Sequence, residues 1–357
     1  MAGIYVHIPF CKKRCLYCDF FSTTLLARRK EYVAALLQEI AQRKDEASEP
    51  VRTIYIGGGT PSCLDAEDIR RILNAIGSTD ATEITMELNP GDATEEYMHA
   101  LRAAGINRLS IGIQSFQDEL LQTIGRRHDR LQAIQAVQMA QEAGFENLSI
   151  DLMYALPCQT MGQWKADIET ALRLNIQHIS CYGLMYEQGT TLTKMKEDGR
   201  ITPIDEDTEN AMYDYLCEQL QQAGFVHYEV SNFALPGYEA KHNSAYWDHT
   251  PYIGVGAGAH SYIAPVRSWN PSDLNAYIAG ITAHNLQRES ETLSEEDLYN
   301  ERIMLGLRTN QGIPQTLLRT DIRSYTEAGL LTVQDGRVIA TQKGIHILNC
   351  IIEELMI

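Results

Sequence analysis

Short apolar runs alternate with longer amphipathic stretches from the start of the chain to about residue 235. The runs predict buried β-strands, and the stretches between them predict helices with one apolar face. The predicted strands are Ile4–Ile8, Thr53–Ile56, Glu83–Leu88, Arg108–Ile113, Asn147–Met153 and His178–Tyr182. The predicted helices are Tyr32–Arg43, Ala66–Ile76, Thr94–Ala104, Leu131–Ala143, Gln163–Leu174 and Thr208–Ala223. This alternation predicts right-handed βα units around a parallel sheet.

Glycine marks the ends of three predicted helices, at Gly105, Gly144 and Gly224. Glycine adopts the left-handed conformation of a helix C-cap without the steric penalty of a Cβ atom. The next apolar run follows each of these glycines almost at once. The sequence therefore predicts an α/β fold, an open or partial (β/α) barrel of about six units. A doubly wound sheet is the alternative.

The pattern changes after residue 235. An aromatic segment and a connector come first, followed by helices and a hairpin around Asp335-Gly336, in the order of a winged helix. We therefore expect a (β/α) barrel at 1–235, a connector at 236–290 and a smaller helical, winged-helix-like domain at 291–357.

The net charge and the hydropathy of the chain indicate which partners and which cellular location to expect. The 357-residue chain has 30 Lys and Arg against 47 Asp and Glu, a formal net charge of −17. This balance disfavours nucleic acid, and nine acidic against six basic residues at 294–357 do not suit a DNA-binding domain. No apolar run has the length of a membrane span, and no signal-peptide pattern opens the chain. We therefore expect a cytoplasmic protein.

Three cysteines, Cys11, Cys15 and Cys18, follow the first predicted strand with Cys-x3-Cys-x2-Cys spacing. Three thiolates on a short loop can hold three corners of a cubane iron–sulfur cluster and leave the fourth iron open to a small molecule. The alternative is a structural zinc site, which needs a fourth ligand, and His7 is the nearby candidate. The other five cysteines are scattered, as buried cysteines without ligand roles usually are.

Polar residues lie at, within or just after the last residues of four further predicted strands. They are the glycine run Gly57–Gly59 with Thr60, then Glu87, Gln114 and Asp151. In a (β/α) barrel the carboxyl ends of the strands meet at one mouth, so we expect these groups to converge with the cysteines on a single site. Taken alone, the glycine run also suits a tight turn, and Glu87 also suits a solvated or capping carboxylate.

Motifs in chain order resemble those of the oxygen-independent coproporphyrinogen oxidase group of the radical SAM superfamily. They are Tyr5-x-His7-Ile8-Pro9-Phe10-Cys11-x3-Cys15-x-Tyr17-Cys18, Gly57-Gly58-Gly59-Thr60-Pro61, Glu87-x-Asn89-Pro90, Gly112-x-Gln114-Ser115-Phe116 and Ile150-Asp151-Leu152-Met153-Tyr154-x-Leu156-Pro157. The resemblance implies a [4Fe–4S] cluster held by Cys11, Cys15 and Cys18, with S-adenosylmethionine (SAM) on the open iron.

The resemblance also implies which side chains surround these cofactors. Tyr17 packs beside the cluster, and Met185 lies near a backbone contact to SAM. The remaining implied SAM contacts are Tyr5, Gly58, Gly59, Thr60, Glu87, Gln114, Arg126 and Asp151. From the residue type alone, Arg126 equally suits a solvated surface position.

The segment His242-Asn243-Ser244-Ala245-Tyr246-Trp247 is similar to a His-Asn-x-x-Tyr-Trp signature of the heme-chaperone branch of this group. His242 is then a candidate axial ligand of heme, and the two aromatic residues are candidates to stack on the porphyrin. The alternative is a loop that packs against the barrel, with Asn243 bonded to backbone and the aromatic rings buried. The glycine-rich segment 252–262 suits either closure over the cofactor mouth or a bent strand.

The resemblance implies a heme chaperone that binds the cluster, SAM and heme and passes heme to apo-proteins such as respiratory enzymes at the membrane. An electron donor such as a flavodoxin or ferredoxin and a homodimer are further expectations. The alternative is an oxygen-independent coproporphyrinogen III oxidase. That branch continues its loop to a further cysteine where this chain has Asp19-Phe20, and it has an extension before the first strand, which lies at Ile4 here. Both differences favour the chaperone, without coproporphyrinogen III dehydrogenase activity; a zinc-stabilised binding module is the third hypothesis.

Overall fold

Six parallel strands form the centre of the fold. The computed structural model describes residues 2–43, 46, 49–77 and 80–357. The strands pair in chain order, each parallel to the next. They are β1 Ala2–Ile8, β2 Val51–Gly58, β3 Glu83–Leu88, β4 Arg108–Gln114, β5 Leu148–Tyr154 and β6 His178–Gly183. This order confirms the α/β fold class.

Helices connect the parallel strands and cover the outer face of the sheet. They are α1 Arg29–Arg43, α2 Ala66–Ile76, α3 Glu95–Ala104, α4 Asp118–Thr123, α5 Arg130–Glu142, α6 Met161–Arg173, α7 Thr191–Glu197 and α8 Glu206–Gln222. The three predicted glycine caps are confirmed: φ is +108° at Gly105, +85° at Gly144 and +87° at Gly224. Asp129 and Thr160 begin α5 and α6 with capping boxes, which fixes where these helices start.

Side chains alternate between the two faces of each parallel strand. On β4, Leu109, Ile111 and Ile113 are fully buried in the apolar core. Arg108, Ser110, Gly112 and Gln114 alternate with them and line an internal cavity. The inner face of the sheet is therefore polar, and the apolar core lies between the sheet and the helices.

The chain extends this sheet at both edges after α8. The added elements are β7 Val226–Glu229, β8 Asn232–Ala234, α9 Lys241–Trp247, β9 Tyr252–Val255, β10 His260–Ile263, β11 Val266–Trp269, α10 Leu274–Thr282 and β12 Glu289–Thr292. β9 pairs parallel with β1, so the glycine-rich segment contains a strand and not a flap over the mouth. Gly254 permits the close approach of β10, because a Cβ there would lie 2.0 Å from the carbonyl oxygen of His260.

The C-terminal part has an apolar cluster of its own, separate from the core of the large sheet. Its elements are α11 Glu295–Gly306, β13 Ile313–Pro314, α12 Arg323–Glu327, β14 Leu331–Gln334, β15 Arg337–Ala340, α13 Gln342–Ile345 and α14 Leu348–Leu355. The hairpin at Asp335-Gly336 gains β13 as a third strand. The domain boundaries given above stay predictions.

Candidate functional site

A cavity of about 580 Å³ opens at the carboxyl ends of the parallel strands. This volume is in the range of small-molecule and cofactor sites. Thirteen of the fourteen residues singled out in the sequence line it. They are Tyr5, Cys11, Cys15, Tyr17, Cys18, Gly58, Gly59, Thr60, Glu87, Gln114, Arg126, Asp151 and Met185. His242 does not.

The cysteine loop is tied to the barrel mouth by backbone hydrogen bonds. The amide of Cys11 donates to the carbonyl of Thr23 at 2.9 Å, and the amide of Thr23 donates to the carbonyl of Pro9 at 2.7 Å. The amide of Leu16 donates to the carbonyl of Ile124 at 3.1 Å. These bonds place all three thiols on the wall of the cavity.

The sulfur atoms meet donors from neighbouring loops. Thr60 Oγ1 donates to Cys11 Sγ at 3.4 Å, and Arg126 Nη1 donates to Cys15 Sγ at 3.3 Å. Burial raises the pKa of Cys11, and it raises the pKa of Cys18 to about 11. Without a metal these two thiols are protonated at neutral pH, so metal binding would release protons.

The donor set fits an iron–sulfur cluster. A Cβ on Gly59 would lie 2.8 Å from the Pro9 carbonyl and 3.0 Å from Cys11 Sγ. Any residue other than glycine at this position would therefore displace the thiol of Cys11. Across the described residues, no three His, Cys, Asp or Glu side chains converge on a point that could hold one metal ion. In a cubane each thiolate ligates a different iron, so cluster ligands surround a volume and do not meet at a point.

Glu87 is a buried carboxyl on the inner face. It accepts hydrogen bonds from the Tyr55 hydroxyl at 2.9 Å and from the Gly58 amide at 3.1 Å. Burial, reinforced by the negative charge of Asp151, raises the pKa of Glu87 to about 7. The φ of Gly58 is +114°, and a Cβ there would lie 2.7 Å from the His7 ring. The backbone of the glycine run, which has no side chains, thus lies against the Glu87 carboxyl. A carboxyl in this position is suited to hydrogen bonds with a sugar diol.

Asp151 and Arg126 are two further buried charged groups that line the cavity. Ser110 Oγ donates to Asp151 Oδ1 at 3.0 Å, and burial raises the pKa of Asp151. Arg126 donates to the carbonyl of Gly112, yet its Nε is buried without a hydrogen-bond partner. An orphaned guanidinium donor at a cavity wall fits a ligand carboxylate, which matches a guanidinium in two hydrogen bonds. Gln114 lies beside it with φ +74°, at an irregularity between β4 and β5.

The structure places His242 away from the mouth, against the inner face near the amino ends of β1 to β3. The ring is 1% exposed, with Nδ1 2.9 Å from Thr53 Oγ1 and Nε2 2.9 Å from the Tyr246 hydroxyl. It also stacks on Tyr55. Burial lowers the pKa of His242 to about 3. In this conformation the ring packs as a core side chain, and heme ligation by His242 stays a prediction that requires the ring to leave these partners.

Sequence reasoning missed several residues that line the cavity. They are Tyr55, Arg108, Ser110, Ser180, Tyr182 and Asn243. The signal for two of them was present, because Arg108 and Ser110 share the inward parity of Gly112 and Gln114 on one strand. The others depend on which inner-face positions the cavity reaches, and no local pattern gives that.

The fold and the site together indicate the class of protein to which the chain belongs. A parallel (β/α) core with three thiols on the loop after its first strand, facing buried acidic and basic groups at the strand ends, is the arrangement of radical SAM proteins. The family model described as the radical SAM superfamily matches residues 5–171, and the model described as the HemN C-terminal domain matches residues 293–347.

The curated relatives narrow the class to one family. Heme chaperone HemW of Lactococcus lactis is 37% identical over 99% of this chain and 97% of its own length. Heme chaperone HemW of Bacillus subtilis is 35% identical over 96% of both chains. The chain belongs to the HemW family. Among solved structures, coproporphyrinogen III oxidase (HemN) of Escherichia coli is similar with a TM-score of 0.83 and 25% identity, over 99% of this chain and 89% of that chain.

Proposed function

We propose that this protein is a heme chaperone that holds a [4Fe–4S] cluster, SAM and heme and delivers heme to apo-proteins. The observation that carries the proposal is the convergence of all three thiols and ten further predicted residues on one cavity. Curated relatives that match nearly the whole chain bear the name heme chaperone. Among the described residues no helix has the length and hydropathy to cross a membrane.

Each wall of the cavity has a separate task in this proposal. Cys11, Cys15 and Cys18 hold the cluster, and Arg126 pairs with the carboxylate of SAM. The Glu87 carboxyl accepts hydrogen bonds from the ribose hydroxyls. When bound, the cluster and SAM supply one-electron chemistry at the sulfonium.

The partners are part of the proposal. We expect heme as cargo, heme-requiring apo-proteins at the membrane as recipients, and a flavodoxin or ferredoxin as electron donor to the cluster. A homodimer in the cytoplasm is the expected form. Size measurement of the reconstituted protein and pull-down with a candidate donor test these points directly.

Oxygen-independent coproporphyrinogen III oxidation is the second candidate function. The similarity of the whole chain to the E. coli oxidase favours it. Asp19-Phe20 stand where the resemblance places a further cysteine in that branch. Anaerobic incubation of the reconstituted protein with coproporphyrinogen III separates the two: we expect no turnover, and product formed over several turnovers would reverse the assignment.

The binding step is tested by titrating the anaerobically reconstituted protein with heme. We expect saturation at one heme per chain. His242→Ala tests the ligand, and His178→Ala is its matched control. The His178 ring is also fully buried on the inner face, with its two nitrogens 2.7 Å from Ser149 Oγ and from the Tyr228 hydroxyl. A changed heme spectrum in His242→Ala alone supports ligation; unchanged spectra in both variants place the ligand elsewhere.

A further inference from the structure

Arg108 is a buried cation that belongs to no ion pair of the described residues, although its charge partly offsets the rise in the pKa of Asp151. It begins β4, is 1% exposed and points to the inner face, where it lines the cavity. Its Nε is buried without a hydrogen-bond partner. Within the described residues no hydrogen bond or ion pair reaches its guanidinium. A buried charge without a hydrogen-bonded partner is unfavourable, so such a group favours an anion within hydrogen-bond distance.

The carboxylates on the same face do not fill this role, because each is bonded to other donors. Glu87 accepts hydrogen bonds from the Tyr55 hydroxyl and the Gly58 amide, Asp151 accepts one from the Ser110 hydroxyl, and Glu83 accepts those of the Lys241 and His242 amides. None of the three forms an ion pair with Arg108 in the described part of the chain, and Asp151 interacts with it only through a longer-range electrostatic effect.

A second free donor lines the same cavity. The side chain of Asn243, one residue after His242 on α9, is partly exposed to the cavity. No hydrogen bond involves its amide in the described structure, although the packing interpretation of this segment expected one to backbone. An amide and a guanidinium, from two separate elements, thus both line this cavity without a hydrogen-bond partner, and Arg108 is near enough to His242, next to Asn243, for its charge to lower the pKa of that ring. A carboxylate has lone pairs enough to accept from both.

We infer that Arg108 and Asn243 form an anion subsite in the cavity that binds the carboxylate of an organic ligand. Two ligands of the proposed function carry this chemistry: heme through its propionates, and SAM through its amino-acid end, which the proposed function otherwise assigns to Arg126. The subsite itself rests on the two unpartnered donors and not on the identity of the cargo. It also gives a role to the asparagine of the His-Asn-x-x-Tyr-Trp segment.

The first experiment measures thermal unfolding of the reconstituted protein and its variants. Arg108→Met removes the charge, and Arg43→Met is the matched control, because Arg43 is also buried but pairs with Glu39 and Glu46 at 2.9 Å. We expect the melting temperature without ligand to stay level or rise in Arg108→Met and to fall in Arg43→Met. A fall in both variants would make Arg108 a structural residue and overturn the inference.

The second experiment measures binding. Sodium propionate, against sodium chloride at equal ionic strength, should raise the melting temperature of the parent protein and not of Arg108→Met. Arg108→Lys and Asn243→Ala should show a reduced rise. The absence of any propionate-specific rise in the parent overturns the subsite.

The third experiment identifies the source of the carboxylate. SAM is compared with decarboxylated SAM, which lacks only the carboxylate, and heme with its dimethyl ester. For the ligand that uses the subsite, loss of the carboxylate should weaken binding roughly 10- to 100-fold in the parent, the range for a charge-assisted hydrogen bond, and much less in Arg108→Met. If Arg108 affects neither comparison, the subsite is refuted. If heme itself does not bind, the proposed function fails, while the propionate and SAM comparisons still test the subsite.

Discussion

Replacement of Glu87 by Gln tests the electrostatics of the cavity in a quantitative way. Gln keeps the shape of the side chain and removes the titrating carboxyl. The pKa of Glu87 lies at about 7 in the folded protein because of burial and the charge of Asp151, against an ordinary value of 4.5. The folded state therefore holds this proton more tightly than the unfolded chain does.

The direction of the pH effect follows from this difference. Between pH 4.5 and 7 the folded state binds more protons at this site than the unfolded chain, so the free energy of unfolding decreases as pH rises through this interval. At about 1.4 kcal/mol per pH unit, the interval corresponds to about 3 kcal/mol. Glu87→Gln should lose one of the two hydrogen bonds from Tyr55 and Gly58, a cost of about 1 kcal/mol that does not vary with pH.

The assay is urea unfolding of the metal-free protein from pH 5 to pH 8. The stability of Glu87→Gln relative to the parent should increase by about 3 kcal/mol over this range, so the variant becomes the more stable protein at the upper end. Glu146→Gln is the control. It removes an exposed carboxylate from a loop, and its effect should stay within about 0.5 kcal/mol at each pH. A Glu87→Gln difference that does not change with pH would refute the reasoning.

Three further substitutions test the site and its support. Cys18→Ser should lower iron and acid-labile sulfide in the reconstituted protein to background, whereas Cys158→Ser, at an exposed thiol, should leave both unchanged. Gly59→Ala should lower cluster content by displacing the first cysteine, and Gly162→Ala, whose Cβ would meet only Thr160 Oγ1 at 3.9 Å, should not. Asp167→Ala should destabilise the protein by about 2–4 kcal/mol in urea unfolding, because its buried carboxylate accepts three hydrogen bonds from residues 115–117; a loss under 1 kcal/mol would contradict this.

The parallel core was predictable from the sequence because its strands are buried on the helix-facing side and each is followed by a helix with clear end signals. Predicted and observed strands differ by at most two residues at either end; β2 differs by two at both ends, predicted as Thr53–Ile56 and observed as Val51–Gly58. Turn and cap residues set these limits locally. The core of the fold therefore follows from short-range patterns.

The later part of the chain was harder to predict because its contacts are distant in sequence. β9 has four residues and pairs with β1, about 250 residues earlier in the chain. The helix with His242 begins at the Glu83 carboxylate, whose oxygens accept the amides of Lys241 and His242 at 2.9 Å. No local sequence pattern predicts either of these two contacts. The same is true of Arg108, whose lack of a partner is visible only once the strands are assembled.

Transfer of heme tests the central claim most directly. The reconstituted protein is loaded with one heme per chain and mixed anaerobically with an apo-protein that requires heme, and the acceptor's heme spectrum is followed with and without SAM. The chaperone proposal predicts that the acceptor takes up heme faster from the loaded protein than from free heme in solution. It also predicts that coproporphyrinogen III is not consumed. Failure to bind heme, together with repeated turnover of coproporphyrinogen III, would contradict it.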